Sequence, residues 1–280
     1  MARTIGFVGV LGWPLDHTLS PIIHNAAFRR LGMDWVYLSF PVPPERLADA
    51  VSGLRALGAR GANVTMPHKE SIVQYLDGLS SEAEELGAVN TVQQLGGKLI
   101  GHNTDVAGFV AFLTEDAGFD VTGRTALVLG AGGAARAVVK GLVDSGAAAI
   151  TIAGRTPDRT HKIAGTSPLA RSVAWDEAAG LVQDFDLIVN ATPLGMAGED
   201  PVAGASFRPG QTVVDLIYDP PVTPLVDKAR AAGADAWSGL GMLVHQAVAS
   251  FSIWTGRQPP VEAMSAVAVH ALGLGRRSED

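Results

Sequence analysis

A strand-length apolar run that breaks into glycines lies near the middle of this chain. It reads Thr125-Ala-Leu-Val-Leu-Gly130-Ala131-Gly132-Gly133-Ala134-Ala135-Arg136, and apolar residues at helical spacing follow it. This order predicts a strand, a tight turn at Gly130 and a helix whose N-terminus can hold a pyrophosphate. Ala135 fills the last position of the G-x-G-x-x-G/A pattern. The stretch therefore predicts a dinucleotide site, although a glycine turn that serves only packing has the same pattern.

The segment after the next strand distinguishes between NAD and NADP(H) as the dinucleotide. Residues 149–153 are predicted as that strand, and an NAD-binding fold usually has an Asp or Glu at its end for the ribose hydroxyls. Here Arg155, Thr156 and Arg159 follow instead, with no acid at the strand tip. Arginine suits a phosphate, which an acid would repel. The pattern favours NADP(H) over NAD, and arginines in a solvated loop are the alternative.

Strands alternate with helices along most of the chain, which favours an α/β fold with a mostly parallel sheet and a ligand at the carboxyl ends of its strands. Ser20 is expected to cap a helix that has Pro21 at its first position, and Pro67 is expected in the first turn of another. A hairpin is expected around Gly96-Gly97. Further strands are predicted at 5–10, 34–42, 61–65, 186–190 and 212–215, and further helices at 43–57, 80–86, 106–113, 223–232, 239–255 and 261–272.

The composition limits the class of protein. The 280 residues suffice for one large domain or two ordinary ones, and 47% of them are hydrophobic. A net charge of −7 argues against a nucleic-acid partner. The absence of cysteine excludes disulfides and thiolate metal sites, and no metal is expected.

The first residues are too polar for a signal peptide and no apolar run is long enough for a membrane span, so a soluble cytoplasmic protein is expected. The charged residues 276–280 are expected to be disordered.

Several polar side chains at predicted strand ends and helix starts are candidate ligand contacts. Thr18 and Ser20 could hold an oxygen-rich ligand or only brace a turn and cap a helix. Lys69 follows Pro67 where a helix start would favour a carboxylate, so it has either a function or a solvated surface position. Asn90 and Asp105 end or follow strands in the same way, as binding residues or as ordinary caps.

Taken together, these segments resemble the shikimate dehydrogenase family along almost the whole chain. Many short motifs share the family's order and spacing. They are His17-Thr-Leu-Ser-Pro21, Asn63-Val-Thr-Met-Pro-His-Lys69, Gly87-Ala-Val-Asn-Thr91, His102-Asn-Thr-Asp105, Gly130-Ala-Gly-Gly-Ala-Ala135, Arg155-Thr156 through Arg159, Asn190-Ala-Thr-Pro193, Tyr218 and Gly239-Leu-Gly-Met-Leu-Val-His-Gln246.

The resemblance implies NADPH-dependent reduction of 3-dehydroshikimate to shikimate, with Lys69 and Asp105 as the catalytic pair. A cationic proton donor stabilises the negative charge that hydride delivery builds on a carbonyl oxygen, and a carboxylate can orient it. The resemblance also implies substrate contacts from Thr18, Ser20, Thr65, Asn90, Tyr218 and Gln246. The implied cofactor contacts are Gly130, Ala131, Gly132, Gly133, Ala134, Arg155, Thr156, Arg159, Thr192, Leu216, Gly239 and Met242.

The implied architecture has a substrate domain of residues 1–105, completed by the C-terminal helices 240–280. A Rossmann-like NADP-binding domain of residues 106–239 would be inserted, with the active site in the cleft. Thr18 stands where the family usually has serine, and Gly154 where it commonly has asparagine. A quinate/shikimate or aminoshikimate dehydrogenase is the nearest alternative, and a non-catalytic NADPH-binding regulatory protein is an alternative of another class. The oligomeric state is left open, with a homodimer as the expectation.

Overall fold

The computed structural model describes residues 5–274 and divides the chain into two units. One unit contains the chain up to Thr104 and again from Val244 onward, and the other is Asp105–Leu243. The sequence places the two junctions at residues 105 and 240. Residues 276–280, for which disorder is expected, and the first four residues lie outside the described range.

The first unit is built on a six-stranded mixed sheet with the order β2-β1-β3-β5-β6-β4. Strand β1 is parallel to β2 and β3. Strand β5 is antiparallel to β3 and to β6, and β5 and β6 form the predicted hairpin. A continuous apolar core, which includes Leu11, Val64, Val92 and Leu99, packs against the sheet. The elements are β1 (Gly6–Gly12), α1 (Ser20–Arg30), β2 (Trp35–Pro41), α2 (Leu47–Ala56), β3 (Gly61–Val64), β4 (Gly78–Leu79), α3 (Ser81–Leu86), β5 (Thr91–Leu95) and β6 (Lys98–His102).

Two helix starts in this unit differ from the prediction. The N-cap of α1 is Leu19, whose side chain makes no capping hydrogen bond, and Ser20 is the first helical residue. The Thr18 hydroxyl accepts the Ser20 backbone N–H at 3.3 Å. No helix begins at Pro67. The buried His68 ring contacts the Val42 carbonyl at 2.6 Å while its backbone N–H closes a turn onto Thr65, so the segment forms turns up to a short 3₁₀ helix at Val73–Tyr75.

The second unit is a doubly wound α/β layer structure. All five strand pairs of its sheet are parallel, and the order is β12-β11-β10-β7-β8-β9. Its elements are α4 (Asp105–Ala111), β7 (Thr125–Leu129), α5 (Gly133–Asp144), β8 (Ala149–Gly154), α6 (Pro157–Ala164), β9 (Ala170–Ala174), α7 (Ala178–Leu181), β10 (Leu187–Asn190), β11 (Thr212–Asp215), α8 (Pro224–Ala231) and β12 (Asp235–Ser238). A five-residue π-helix, Phe112–Asp116, follows α4.

Apolar side chains on both faces of this sheet are covered. Ala126 and Val128 of β7 belong to one buried cluster, whereas Leu127 and Leu129 belong to another, because successive strand residues point to opposite faces. The strand order reverses at β7, which lies between β8 and β10. In such a sheet the crevice at the carboxyl ends of these strands is where ligands bind. The predicted α/β class with a Rossmann-like parallel sheet is confirmed.

Two further helices end the described chain. α9 (Leu240–Thr255) crosses the second junction between the units, and α10 (Val261–Ala271) follows it. Within residues 5–274, none of the helices has the length and apolar character that a membrane crossing requires.

Candidate active site

The glycine turn lies at the point where the strand order of the second unit reverses. Gly130 follows β7 with φ +114°, and a Cβ there would lie 2.9 Å from the carbonyl oxygen of Ala191, which follows β10. Any other residue would therefore push the two strand ends apart. Backbone hydrogen bonds from Gly130 to Ala153 and from Ala191 to Leu129, both 2.8 Å, extend the ladder into these loops.

The helix after this turn presents an open N-terminus. Gly132 is the N-cap of α5, and a Cβ built on it would meet no described atom within 4 Å. The first backbone N–H groups of a helix lack intrahelical partners and attract anions. Gly132 is exposed, Gly133 and Ala134 are partly buried, and Ala135 is fully buried, so the N-terminus of α5 has room for an anion beside Gly132.

The residues predicted to bind the ribose phosphate follow the neighbouring strand. Arg155, Thr156 and Arg159 are exposed directly after β8, where Thr156 is the N-cap of α6. Gly154 packs closely there, because a Cβ would lie 2.5 Å from the Thr160 methyl group and 3.5 Å from the Ala131 Cβ. A glycine at 154 is thus matched to a threonine at 160. Two guanidinium groups are available to a phosphate beside the glycine turn.

Backbone contact joins the residues predicted near the nicotinamide. A Cβ on Gly239 would lie 2.1 Å from the Leu216 carbonyl oxygen, and the Gly239 N–H donates to Ile217 at 2.9 Å. Only glycine allows this approach between the ends of β11 and β12. Leu216 is partly buried, and Met242 is nearly enclosed in the core beside α5, with 8% of its surface exposed.

Polar side chains that the sequence analysis did not assign to the site support the loops after β10 and β11. Asn190 and Asp215 are paired in register at the ends of these strands, and the Asn190 amide donates to the Asp215 carboxylate at 3.0 Å. The side-chain carbonyl oxygen of Asn190 accepts from the Thr192 backbone N–H at 3.1 Å and from the Thr192 hydroxyl at 2.7 Å. The pattern that could have found them is a polar residue at the same offset in two adjacent apolar strands.

A buried hydrogen-bond network holds Asn90, one of the predicted substrate contacts. The Asn90 carbonyl oxygen accepts from the Thr104 backbone at 2.8 Å, and its amide donates to the Thr104 hydroxyl at 2.9 Å. The Asn63 amide nitrogen lies 3.0–3.1 Å from three acceptors, which are the Asn90 backbone carbonyl and the hydroxyls of Thr91 and Ser250, and it shares its two hydrogens among them. Asn63 was not identified as a supporting residue from the sequence. The orientation of the Asn90 amide is therefore determined by its neighbours.

The remaining substrate candidates of the first unit lie at element ends. Ser20 is buried at the start of α1, beside the partly buried Thr18 whose hydroxyl accepts its N–H. Thr65 follows β3 and donates its backbone N–H to Leu11 at 2.9 Å. Gln246, on α9, is partly buried, and its backbone carbonyl accepts from the Ser250 hydroxyl at 3.0 Å.

The two catalytic candidates belong to different units. Lys69 is partly buried in the turns after β3, and its carbonyl accepts from the Val89 N–H at 2.8 Å. Asp105 is the first residue of α4 and is 5% exposed, a position where the helix dipole stabilises a carboxylate. Tyr218 is a partly buried residue after β11 in the second unit.

Known protein families match consecutive parts of this chain. The shikimate dehydrogenase substrate binding domain matches residues 10–92, the shikimate / quinate 5-dehydrogenase model residues 113–205, and the shikimate 5'-dehydrogenase C-terminal domain residues 239–268. A shikimate dehydrogenase (NADP(+)) of Citrifermentans bemidjiense is 47% identical over 91% of this chain and 92% of its own length. The chain belongs to the shikimate dehydrogenase family.

Other members of the shikimate dehydrogenase family are similar over nearly their full length. The shikimate dehydrogenase (NADP(+)) of Moorella thermoacetica is 45% identical over 96% of this chain and 94% of its own. The crystal structure of the Thermus thermophilus enzyme with NADP(H) and shikimate is 37% identical, with a TM-score of 0.86 and coverage of 95% and 100%. The predictions of the family, of an oxidoreductase and of NADP(H) as cofactor are confirmed.

Proposed function

We propose that this chain catalyses the reversible, NADPH-dependent reduction of 3-dehydroshikimate to shikimate, a step of aromatic amino-acid and chorismate biosynthesis. The observation that carries the proposal is the similarity of nearly the whole chain to NADP-dependent shikimate dehydrogenases, with the motifs around Lys69 and Asp105 intact. The bound cofactor supplies a hydride for the carbonyl carbon.

The residues of the second unit fit the cofactor. The space beside Gly132 at the N-terminus of α5 suits the pyrophosphate, and the arginines after β8 suit the ribose phosphate. We assign the nicotinamide end to Thr192, Leu216, Gly239 and Met242. The glycine contact at Leu216 supports this assignment because it keeps side chains away from the β11 end.

Lys69 is proposed as the proton donor. In the reduction its ammonium gives a proton to the carbonyl oxygen as the hydride reaches the carbon, and solvent then reprotonates the amine. Asp105 is proposed to orient the lysine and accept a hydrogen bond from the adjacent substrate hydroxyl. Thr18 and Ser20 would hold the carboxylate, and the ring contacts would come from Thr65, Asn90, Tyr218 and Gln246.

The Lys69→Ala variant tests this assignment. Loss of a general acid lowers kcat by about 10²–10⁴-fold, and NADPH affinity should remain unchanged because Lys69 lies outside the nucleotide-binding unit. The measurement is steady-state turnover of shikimate with NADP, with a fluorescence titration of NADPH as the control. A kcat within about tenfold of the unmodified enzyme would show that another group donates the proton.

Substrate comparison tests the function itself. The unmodified chain should reduce NADP fastest with shikimate, and more slowly with quinate, whose extra hydroxyl lies at the carboxylate-bearing carbon near Thr18. Faster turnover of quinate with NAD would contradict the proposal. Tight NADPH binding without any NADP reduction would instead indicate a regulatory protein.

The proposal also covers the oligomeric state and the cellular location of the chain. We propose a homodimer, supported by the edge position of β2 in its sheet and the 41% exposure of Leu38 on that strand. Sedimentation equilibrium would test it. We also propose a cytoplasmic location, supported by the similarity of the chain to NADP-dependent shikimate dehydrogenases. Cell fractionation would test that location.

A further inference from the structure

Asp215 is a fully buried carboxylate for which the proposed reaction has no use. It ends β11, and burial raises its pKa above the ordinary range although three hydrogen bonds oppose that shift. Its Oδ1 accepts from the Asn190 amide at 3.0 Å and from the Ile217 backbone at 3.1 Å. Its Oδ2 accepts from the Thr223 hydroxyl at 2.7 Å. Burial of a carboxylate costs free energy unless hydrogen-bond donors surround it, and three donors surround Asp215.

These partners determine the direction of every hydrogen bond in the cluster. The Ile217 N–H can only donate, so the oxygen that faces it and Asn190 must accept. The Thr223 hydroxyl accepts from the Val226 N–H at 3.4 Å, which leaves its proton for Asp215. The Asn190 amide nitrogen also donates to the Leu194 carbonyl at 2.9 Å, so it faces Asp215 and cannot flip without losing both bonds.

The orientation of the Asn190 amide also determines which groups of Thr192 donate and which accept. With its nitrogen towards Asp215, Asn190 presents its carbonyl oxygen to the Thr192 backbone and hydroxyl. The Thr192 hydroxyl therefore donates its proton to the Asn190 side-chain oxygen at 2.7 Å, and the hydroxyl oxygen accepts from the Leu194 N–H at 3.2 Å. One acceptor position on this oxygen remains beyond these bonds.

We infer that Asp215 is a positioning residue that, through Asn190, sets the Thr192 hydroxyl as a hydrogen-bond acceptor for a donor group of NADP(H). This inference rests on the proposed function, in which Thr192 lies at the cofactor. The donor is a ribose hydroxyl or the carboxamide N–H of the nicotinamide. A phosphate oxygen cannot take this place, because an acceptor would face an acceptor.

A double-mutant cycle on NADPH binding tests the inference. Asp215→Ala removes the acceptor for Asn190, and Thr192→Val removes the hydroxyl. Each should raise the Kd of NADPH about tenfold, since each costs one oriented hydrogen bond. Because both act through one hydroxyl, the double variant should bind NADPH no more weakly than Asp215→Ala alone. Two effects that multiply would overturn the inference.

Conservative and matched variants separate positioning from general damage. Asp215→Asn keeps an acceptor for Asn190 and Ile217 and can donate to Thr223, so its Kd for NADPH should stay within about threefold of the unmodified value. Asp186→Ala is the matched control, because the Asp186 carboxylate accepts from the backbone N–H and the hydroxyl of Thr125 at the opposite end of β10. It should lower the Tm but leave the Kd unchanged. Equal losses of NADPH affinity in Asp186→Ala and Asp215→Ala would contradict the inference.

Other variants keep the test decisive if Asp215→Ala does not fold. Asn190→Ala then replaces it in the cycle, because it removes the side-chain oxygen that accepts from the Thr192 hydroxyl. An NADPH Kd unchanged in Asn190→Ala would count against the inference. Repeating the titration with an acetylpyridine analogue, which lacks the carboxamide N–H, distinguishes the two donors: the Thr192→Val effect disappears only if that N–H is the donor.

The binding cycle does not depend on turnover. If the unmodified chain binds NADPH but does not oxidise shikimate, the proposed function fails while the cycle still decides the role of Asp215. If the enzyme is active and the two substitutions act independently, only the inference fails.

Discussion

Arg155 is the residue that we propose as the main determinant of the choice between NADP and NAD. It is exposed directly after β8, beside the glycine turn. We expect Arg155→Ala to raise the KM for NADP about 10–100-fold, the value of a charge-assisted hydrogen bond to a phosphate, and to leave the KM for NAD unchanged. Arg171→Ala is a suitable control, since Arg171 is an exposed arginine of the same sheet that donates to Thr151 at 3.0 Å. Equal effects on both cofactors would refute the assignment.

His24 makes the stability of the chain depend on pH. Its ring is fully buried, stacked on Tyr37 at 4.5 Å and close to Trp254 at 5.2 Å. Burial lowers its pKa from 6.5 to about 3, with a smaller opposing effect of Asn63. Between these values the unfolded chain binds a proton that the folded chain does not, so stability is complete above pH 6.5 and falls as the pH is lowered.

The expected loss from His24 is about 2 kcal/mol of unfolding free energy between pH 7 and pH 5. Urea unfolding at both pH values measures it. His24→Phe keeps an aromatic ring and has no titrating group, so its stability should fall less over the same interval by about that amount. Identical pH dependences of the two proteins would contradict a neutral, buried His24.

At the scale of elements, Gly241 allows the π-helix after α4 to contact the start of α9. A Cβ on Gly241 would lie 2.3 Å from the Phe112 ring and 2.6 Å from the Asp116 carboxylate. Gly241→Ala should therefore destabilise the protein by about 1–3 kcal/mol through overpacking. Gly53→Ala in α2 is the control, because a Cβ at Gly53 would meet no described atom within 4 Å and alanine favours a helix by about 0.5–1 kcal/mol. A Gly241→Ala variant as stable as the unmodified chain would disprove the close contact.

Elements with strong periodicity or glycine turns could be predicted from the sequence, whereas elements that depend on tertiary contacts could not. Strand β7, the glycine turn and α5 were predictable because apolar spacing and turn chemistry agree there. Strands β9 and β12 were missed, since Ala170–Ala174 is partly exposed and Asp235–Ser238 is short. The helix predicted at Pro67 is replaced by turns because His68 contacts Val42, which is distant in sequence.

The same distinction applies to the site. Gly130, Lys69 and Asp105 stand in recognisable local patterns, so the sequence identified them as candidates. Asn190, Asp215 and Asn63 act through partners on neighbouring strands, and these partners become apparent only when the strand register is known. Their roles are supporting ones, which local sequence spacing does not reveal.

At the scale of the whole molecule, the two units differ in how much of the chain each needs. Asp105–Leu243 is continuous and encloses its own core on both faces of its sheet. The sheet of the other unit depends on α9, where the Trp254 indole donates to Val92 at 2.9 Å and Ser250 binds Thr91 at 2.7 Å. These contacts bridge about 160 residues of sequence.

We therefore expect the fragment 105–243 to fold alone and the fragment 1–104 to remain unfolded. The first should show a cooperative urea transition and bind NADPH, because its glycine turn, arginines and core are complete. The second lacks the apolar face of α9, so its sheet would expose buried surface, at about 25 cal/mol for each Å². Joining 1–104 to 244–280 by a short Gly/Ser linker should restore cooperative unfolding. A cooperative transition in 1–104 alone would show that the C-terminal helices are dispensable for that fold.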